Sequence, residues 1–213
     1  MEQRPSRFPD PRHAPGDAPL AVGGDLHPTT LLDAYAHGIF PWPLDARLLT
    51  WWSPDPRAVL PLSALHVSRT LRRTLRGGTF TTTTDQAFAA VVAACADRDA
   101  TWITPQMADA YATLHELGHA RSVEVWDRSG ALVGGLYGVV LGGAFAGESM
   151  FHLERDASKV ALVVTVERLR ARGFTLFDVQ LQTPHLASMG AVEISRDAFL
   201  DRLAHARGQP QRW

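Results

Sequence analysis

Cysteine is nearly absent from this chain: Cys95 is the single one among 213 residues. One cysteine cannot form an intramolecular disulfide, and a chain of this length can bury a core large enough to fold without such cross-links. The composition therefore argues against the disulfide-stabilised secreted class and favours a reducing, cytoplasmic location. One large domain or two small domains are expected at this length.

Long apolar runs are also missing. The segment MEQRPSRFPDPRHAPGDAP at the start of the sequence is charged and rich in proline, where an export signal would need an apolar segment. A long uncharged stretch at residues 131–147 is shorter than the roughly 20 residues of a spanning helix, and it contains six glycines. We therefore expect neither an export signal nor a membrane-spanning segment.

The chain carries no excess charge of one sign. Its net charge is -1 and its pI is about 6.8, so binding to a polyanion would need a local basic patch. Such a patch occurs in LHVSRTLRRTLRGG, where four arginines share one face of a predicted helix: Arg69, Arg72, Arg73 and Arg76. This arginine face is either a solvated helix surface or a stripe that binds phosphate groups, which suit guanidinium geometry.

Proline divides the chain into two parts. Residues 1–64 contain eleven of the fourteen prolines and one short predicted helix, whereas regular periodicity begins at residue 65. We therefore predict a small N-terminal domain, residues 1–64, rich in proline and tryptophan, and a larger domain, residues 65–213. In the larger domain, predicted helices flank three antiparallel strands within residues 121–151 and a strand at 174–181, which makes the fold class α+β. Cys95 falls on the apolar face of one helix and is predicted to lie in the core.

The segment HELGH, His115–His119, fits the H-E-x-x-H pattern of zinc proteases. That motif needs both imidazoles on one face of a helix, but Gly118 weakens the helix and the predicted helix ends at His119. A third ligand does not follow at a suitable spacing. Histidines near a helix C-terminus, which the helix dipole favours, are the better interpretation, and no metal is expected.

Polar residues interrupt two predicted apolar strands. In LFDVQL, Asp178 and Gln180 are two residues apart and share one strand face, and in FAGESMF, Glu148 shares its predicted face with Ala146 and Met150. A carboxylate inside a sheet is costly unless a partner satisfies it. Loop amides would explain either acidic group alone. Two such groups on neighbouring strands favour a functional site.

Ten short motifs between Gly23 and Ala191 resemble, in the same order, those of the bacterial leucyl/phenylalanyl-tRNA-protein transferases. They are GGDL, AYAHGIFPW, WWSPDPRAVL, TWIT, LHELGHARSVEVW, GGLYG, GESMF, SKVAL, FDVQ and HLASMGA. The resemblance implies an aminoacyltransferase that moves Leu or Phe from Leu-tRNA or Phe-tRNA to a protein with an N-terminal Arg or Lys, marking that protein for degradation by the N-end rule.

The same resemblance implies a C-terminal catalytic domain similar to the N-acetyltransferase (GNAT-like) fold, and neither metal nor cofactor. We also expect a monomer. Coenzyme A is not expected, because residues 151–159, FHLERDASK, offer no cluster of glycine amides for a pyrophosphate.

The resemblance also implies roles for individual residues. Trp42 and Trp102 would flank the terminal adenosine of the tRNA, since unpaired bases stack on aromatic rings. An apolar pocket for the Leu or Phe side chain would be lined by Leu136, Phe145 and Met150. Glu148 would bind substrate, and the arginine face would hold acceptor-stem phosphates.

The chemistry implied is aminolysis of an activated ester, for which the amine needs orientation more than deprotonation. We expect Asp178 to orient the side chain of Gln180, and Gln180 to accept a hydrogen bond from the amine, with the proton acceptor left open. Two rival interpretations remain. A non-catalytic RNA-binding module would use the tryptophans and arginines but not Asp178 and Gln180, and a zinc metalloprotease would use His115 and His119.

Overall fold

The computed structural model describes residues 6–45, 48–98, 101–210 and 213. The helices of these residues are α1 (Pro28–Ala36), α2 (Arg69–Arg76), α3 (Phe88–Ala96), α4 (Pro105–Glu116), α5 (Ala157–Ala171), α6 (Pro184–Ser188) and α7 (Arg196–Arg207). The strands are β1 (Ala21–Val22), β2 (Phe40–Pro41), β3 (Thr50–Trp52), β4 (Arg57–Val59), β5 (Thr81–Thr84), β6 (Ala120–Trp126), β7 (Leu132–Leu141), β8 (Ala144–His152), β9 (Leu176–Gln180) and β10 (Val192–Ile194).

The N-terminal part contains a small antiparallel sheet in the order β1-β3-β2. Its strands are two or three residues long, as expected where prolines remove backbone donors. Helix α1 begins with Pro28 at its first turn, where a missing N–H costs nothing. Trp51 of β3 is 1 % exposed and donates its indole N–H to the carbonyl of Gly23, which anchors this sheet.

The larger sheet has seven strands in the order β10-β4-β9-β8-β7-β6-β5. Its pairs are antiparallel except for β8 with β9, which run parallel. That parallel pairing joins residues 144–146 to residues 176–178 and goes no further. Beyond it the two strands separate, and the opening between them holds the candidate site.

Two apolar clusters cover the faces of the larger sheet. Helix α5 packs with one cluster, together with Leu136 and Phe145, while α3 and α4 pack with the other, which also receives Trp51. Cys95 lies in the second cluster with 0 % exposure, so its predicted place in the core is confirmed. The predicted α+β class, with a small N-terminal part, is confirmed as well.

The larger sheet begins earlier in the chain than the predicted domain boundary. Strand β4 lies between β10 and β9, although it precedes residue 65. The prediction of domains at 1–64 and 65–213 rested on proline content, and prolines at positions 54, 56 and 61 flank this short strand. We therefore propose a boundary within residues 53–56. Among the described residues, no helix is long and apolar enough to cross a bilayer.

Candidate active site

A cavity of about 270 Å³ opens where β8 and β9 separate. Six residues singled out from the sequence line it together: Trp42, Trp102, Leu136, Glu148, Met150 and Gln180. They come from the N-terminal part, from the segment before α4, and from β7, β8 and β9. The separated strands thus bring residues distant in sequence to one concave surface, as ligand sites commonly require.

Strand β8 contains a bulge at Glu148. Tyr137 of β7 pairs with Ser149 and the next residue, Gly138, pairs with Gly147, so Glu148 is the extra residue. The bulge reverses the alternation of side chains along the strand. Met150 consequently packs against the α5 cluster, whereas Ala146 belongs to the opposite cluster. The prediction that Glu148, Ala146 and Met150 share one face is therefore wrong.

The Glu148 carboxylate is 8 % exposed and accepts two hydrogen bonds. Its Oε1 accepts from Nε2 of Gln180 at 2.9 Å, and its Oε2 accepts from the Tyr111 hydroxyl at 2.8 Å. The Tyr111 oxygen lies 2.7 Å from the Tyr35 hydroxyl, so two buried phenols continue the network. Burial raises the pKa of Glu148 to about 7, and the tyrosine hydrogen bonds act in the opposite direction.

The contact with Glu148 determines which way the Gln180 amide faces. An ionised carboxylate only accepts hydrogen bonds, so it takes the NH₂ group of the amide. The carbonyl Oε1 is then left for the cavity that Gln180 lines. The backbone of Gln180 has φ +63, in the left-handed region that a residue with a side chain rarely adopts.

Asp178 lies behind Gln180 and is 4 % exposed. Its Oδ1 accepts the backbone N–H of Gln180 at 2.9 Å, so the two residues are joined through the main chain and not through the Gln180 side chain as expected. Both carboxylate oxygens also accept from the guanidinium of Arg57, at 2.9 and 2.7 Å. Asp178 does not belong to the residues that line the cavity.

Three residues of this network were not identified from the sequence: Arg57, Tyr35 and Tyr111. Arg57 is 1 % exposed and lies apart from the arginine face. A buried carboxylate on β9 is a signal that a cation must be buried beside it. The sequence does not indicate which arginine fills that position.

The expected role of Phe145 needs correction. Phe145 is fully buried and does not belong to the cavity lining. It stacks on Trp213 at 5.1 Å and meets the ring of Phe177 edge-on at 5.3 Å. Phe177 itself lines the cavity, so Phe145 supports the wall from behind.

Aromatic rings form another wall. Trp42 and Trp102 stack on each other with ring centroids 5.8 Å apart, and Trp102 meets Tyr111 edge-on at 6.4 Å. The exposed Arg98 adds positive charge, and it donates to the Ser149 hydroxyl at 3.1 Å. The lining therefore combines stacked rings, apolar side chains, one cation and the Gln180 amide.

The HELGH segment does not form a metal site. Helix α4 ends at Glu116 and Gly118 has φ +83, so His119 lies beyond the helix that carries His115. The His115 Nδ1 lies 2.9 Å from the carbonyl oxygen of Ala120, and its ring stacks on Phe88 at 4.2 Å. Among the described residues, no group of three or more His, Cys, Asp or Glu side chains is arranged to hold a metal ion.

The arginine face is found on α2, as predicted. Its four arginines are all exposed and border one groove on the surface. Within the described parts of the chain, none of them forms an ion pair. Ser68 caps the helix through the N–H of Leu71, and Leu71 turns inward to the core. The geometry leaves a cationic surface available for an anionic partner.

Two family models match the chain. The N-terminal domain of leucyl/phenylalanyl-tRNA protein transferase matches residues 24–55, and leucyl/phenylalanyl-tRNA protein transferase matches residues 59–204. The chain belongs to the leucyl/phenylalanyl-tRNA protein transferase family. The predicted family is thereby confirmed, and the N-terminal match ends at residue 55, within the range 53–56 that we propose for the domain boundary.

Curated relatives match this chain over nearly its full length. The leucyl/phenylalanyl-tRNA–protein transferase of Anaeromyxobacter dehalogenans (strain 2CP-C) is 56% identical over 213 residues, which covers 97% of this chain and 91% of the relative. The protein of the same name from Maridesulfovibrio salexigens is 51% identical over 208 residues, covering 95% and 87%. The chain is therefore an enzyme of the transferase class. Neither the RNA-binding module nor the metalloprotease is favoured.

Similarities to solved structures are distant. A GCN5-related N-acetyltransferase from Kribbella flavida has a TM-score of 0.40 and 12% identity, covering 76% of this chain and 59% of that chain. L-PGS from Bacillus licheniformis has a TM-score of 0.43 and 11% identity, covering 73% and 54%. Assignment to the transferase family rests on the sequence matches.

Proposed function

We propose that this transferase moves a leucyl or phenylalanyl group from charged tRNA to the α-amine of an acceptor protein that begins with Arg or Lys. The observation that carries the proposal is the Gln180 amide, whose carbonyl oxygen is presented to an apolar cavity by its contact with Glu148. A group that accepts a hydrogen bond beside an acyl pocket suits attack by an amine on an ester.

Apolar side chains supply the acyl pocket. Leu136, Met150 and Phe177 line the cavity beside Gln180, and the aliphatic and aromatic surfaces of the Leu and Phe side chains fit such a lining. An apolar pocket rejects charged side chains, which would lose their hydration, but it separates apolar ones poorly. Acceptance of both Leu and Phe follows from that asymmetry.

The tryptophans suit the 3′ end of a tRNA. An unpaired base stacking on an aromatic ring gains about 1–3 kcal/mol, whatever the base. Trp42 and Trp102 lie at the same cavity as Gln180, so a terminal adenosine stacked on them would bring its ester to the amide. The arginine face on α2 would bind acceptor-stem phosphates, which attract the protein without specifying a sequence.

The transfer step is an aminolysis. The neutral amine nitrogen attacks the ester carbonyl carbon, the bond from that carbon to the ribose oxygen breaks, the nitrogen loses one proton and the ribose oxygen gains one. The Gln180 carbonyl accepts an N–H of the attacking amine and orients its lone pair, which lowers the entropic cost of the attack. An ester of this kind is already activated, so the reaction as written needs neither ATP nor a metal.

The biological setting follows from these substrates. Charged tRNA is a cytoplasmic substrate, and a cytoplasmic, monomeric enzyme is sufficient for the reaction as written. Transfer of Leu or Phe to a protein N-terminus would mark the acceptor for degradation by the N-end rule.

The test is transfer of labelled leucine from charged tRNA to a model protein beginning with Arg, beside the same protein beginning with Ala, without ATP and with a metal chelator. We expect label only on the Arg protein. Gln180→Ala should lose transfer and keep tRNA binding, while Gln182→Ala, which changes the same residue type outside the cavity lining, should keep both. Bound tRNA with no transfer by the unmodified enzyme would instead support an RNA-binding module.

A further inference from the structure

We propose that Arg57 is a positioning residue for transfer, which acts by holding Asp178 against the main chain of Gln180. The proposal rests on the role given to Gln180 above. In this proposal Asp178 does not transfer a proton. Asp178 and Arg57 together set the direction in which the Gln180 amide points.

Each of the three guanidinium nitrogens of Arg57 donates a hydrogen bond inside the protein. Nε and Nη2 donate to the two oxygens of Asp178 at 2.9 and 2.7 Å, and Nη1 donates to the carbonyl of Gly38 at 3.2 Å. Its Cζ also lies over two rings, 4.8 Å from the centroid of Phe40 and 4.4 Å from that of Phe199. A planar guanidinium that makes three hydrogen bonds and contacts two rings has little freedom to move.

The Asp178 carboxylate is consequently occupied. Each of its oxygens accepts from Arg57, and Oδ1 also accepts from the Gln180 N–H. The cavity is lined by Gln180 and not by Asp178. The geometry therefore suits a group that fixes the main chain and not one that receives a proton from substrate.

The main chain at Gln180 needs such support. Its left-handed φ of +63 is unfavourable for a residue with a Cβ and persists only where the surroundings impose it. Strand pairing also changes register here, between Ala58 and Val59 of β4. The same strand carries Arg57, so β4 supplies both the irregular pairing and the cation that holds Asp178 in place.

Removal of Arg57 would leave Asp178 as a buried carboxylate without its cation. The carboxylate would then turn to other donors or to water, and the Gln180 N–H would lose a fixed acceptor. A small displacement of a positioned group costs about 100-fold in rate. Binding of aminoacyl-tRNA would change little, because Arg57 is buried and does not line the cavity.

The experiment compares Arg57→Met, Arg57→Lys and Asp178→Asn with Arg196→Met. Arg196 is a matched control: it is 6 % exposed and donates to the carbonyls of Ala14 and Ser53, without contacting Asp178. We expect kcat of Arg57→Met to fall about 100-fold with KM for aminoacyl-tRNA unchanged. Arg57→Lys should retain more activity, and Arg196→Met should keep the unmodified kcat per folded molecule.

Two further readouts separate positioning from general damage. The backbone amide resonance of Gln180 should shift in Arg57→Met and Asp178→Asn but not in Arg196→Met. The pH dependence of kcat in Asp178→Asn should keep the shape of the unmodified profile, since the proposal assigns no proton transfer to Asp178.

Several results would overturn the proposal. They are an unchanged kcat in Arg57→Met, equal losses in the Arg57 and Arg196 variants per folded molecule, or loss of one limb of the pH profile in Asp178→Asn. If Arg57→Met does not fold, the same readouts apply to Arg57→Lys. Failure of the proposed function is a separate outcome, because the Gln180 resonance reports on positioning even in a protein that transfers nothing.

Discussion

Replacing Glu148 with Gln should make the protein more stable at alkaline pH and less active. Burial raises the pKa of Glu148 from 4.5 to about 7, so the folded state holds a proton in a range where the unfolded chain has lost it. Between these values the folded state binds more protons, and the free energy of unfolding falls as pH rises. The ionised side chain is thus a destabilising feature above pH 7.

The magnitude follows from the two pKa values. Each pKa unit corresponds to about 1.36 kcal/mol, so ionisation of Glu148 costs the folded state about 3 kcal/mol at pH 8 relative to pH 4. Gln cannot ionise, so this pH-dependent loss should be absent from Glu148→Gln. The titratable and charged groups that interact electrostatically with Glu148 are Tyr111 from α4, Tyr35 from α1, Tyr137 from β7, Asp178 from β9 and Arg57 from β4.

The assay is urea unfolding of the unmodified protein and Glu148→Gln at several values between pH 4.5 and 8. The difference between their unfolding free energies should change by about 3 kcal/mol in favour of Gln across that range. Transfer should fall, because an amide at position 148 can donate to the Gln180 carbonyl and turn it from the cavity. The control is Glu124→Gln, which makes the same substitution at another buried glutamate. Glu124 is fully buried and accepts hydrogen bonds from Ser122 and Thr83. A difference that does not vary with pH would refute the reasoning.

Three other variants test the fold and the proposed phosphate role of the arginine face. Gly38→Ala should lower stability by about 2 kcal/mol in urea unfolding, because φ is +74 and the new Cβ would lie 2.6 Å from Leu200. Trp51→Ala, at a side chain 1 % exposed, should cost about 3–5 kcal/mol in the same assay. Replacing Arg72 and Arg76 with Gln should weaken tRNA binding. It should also reduce the slope of log K against log salt concentration by about 1 per lost phosphate contact, as measured by binding titrations at several salt concentrations. An unchanged slope would contradict the phosphate role.

The parts of the fold that could be predicted are the long periodic ones. Helix α4 corresponds to the helix predicted to end near His119, and the strands β6, β7 and β8 correspond to the three antiparallel strands predicted within residues 121–151. The short strands β4, β5 and β10 were not identified. Each has three or four residues, too few for alternation to show, and each exists only because a neighbouring strand pairs with it.

Some residues of the candidate site could likewise be predicted from the sequence and others could not. Asp178, Gln180 and Glu148 were found because a polar residue inside an apolar strand is costly, and that cost is visible in the sequence. Tyr35 and Tyr111 were not found, because a tyrosine on an amphipathic helix is as readily a core residue as a hydrogen-bond donor. Arg57, which pairs with Asp178, lies 121 positions away in the chain, and no local sequence pattern indicates a contact between residues so far apart.

The two polar groups that meet in the cavity both depend on irregular backbone. Glu148 is the extra residue of a bulge, and Gln180 has a left-handed φ, each shortly after the last paired residues of β8 and β9. A regular continuation of both strands would pair their backbones with each other, and successive side chains would alternate between the two faces. The opening would then close, and Glu148 would share a face with Met150. The cavity and the amide that faces it therefore have one structural origin, which is the interruption of the parallel pair.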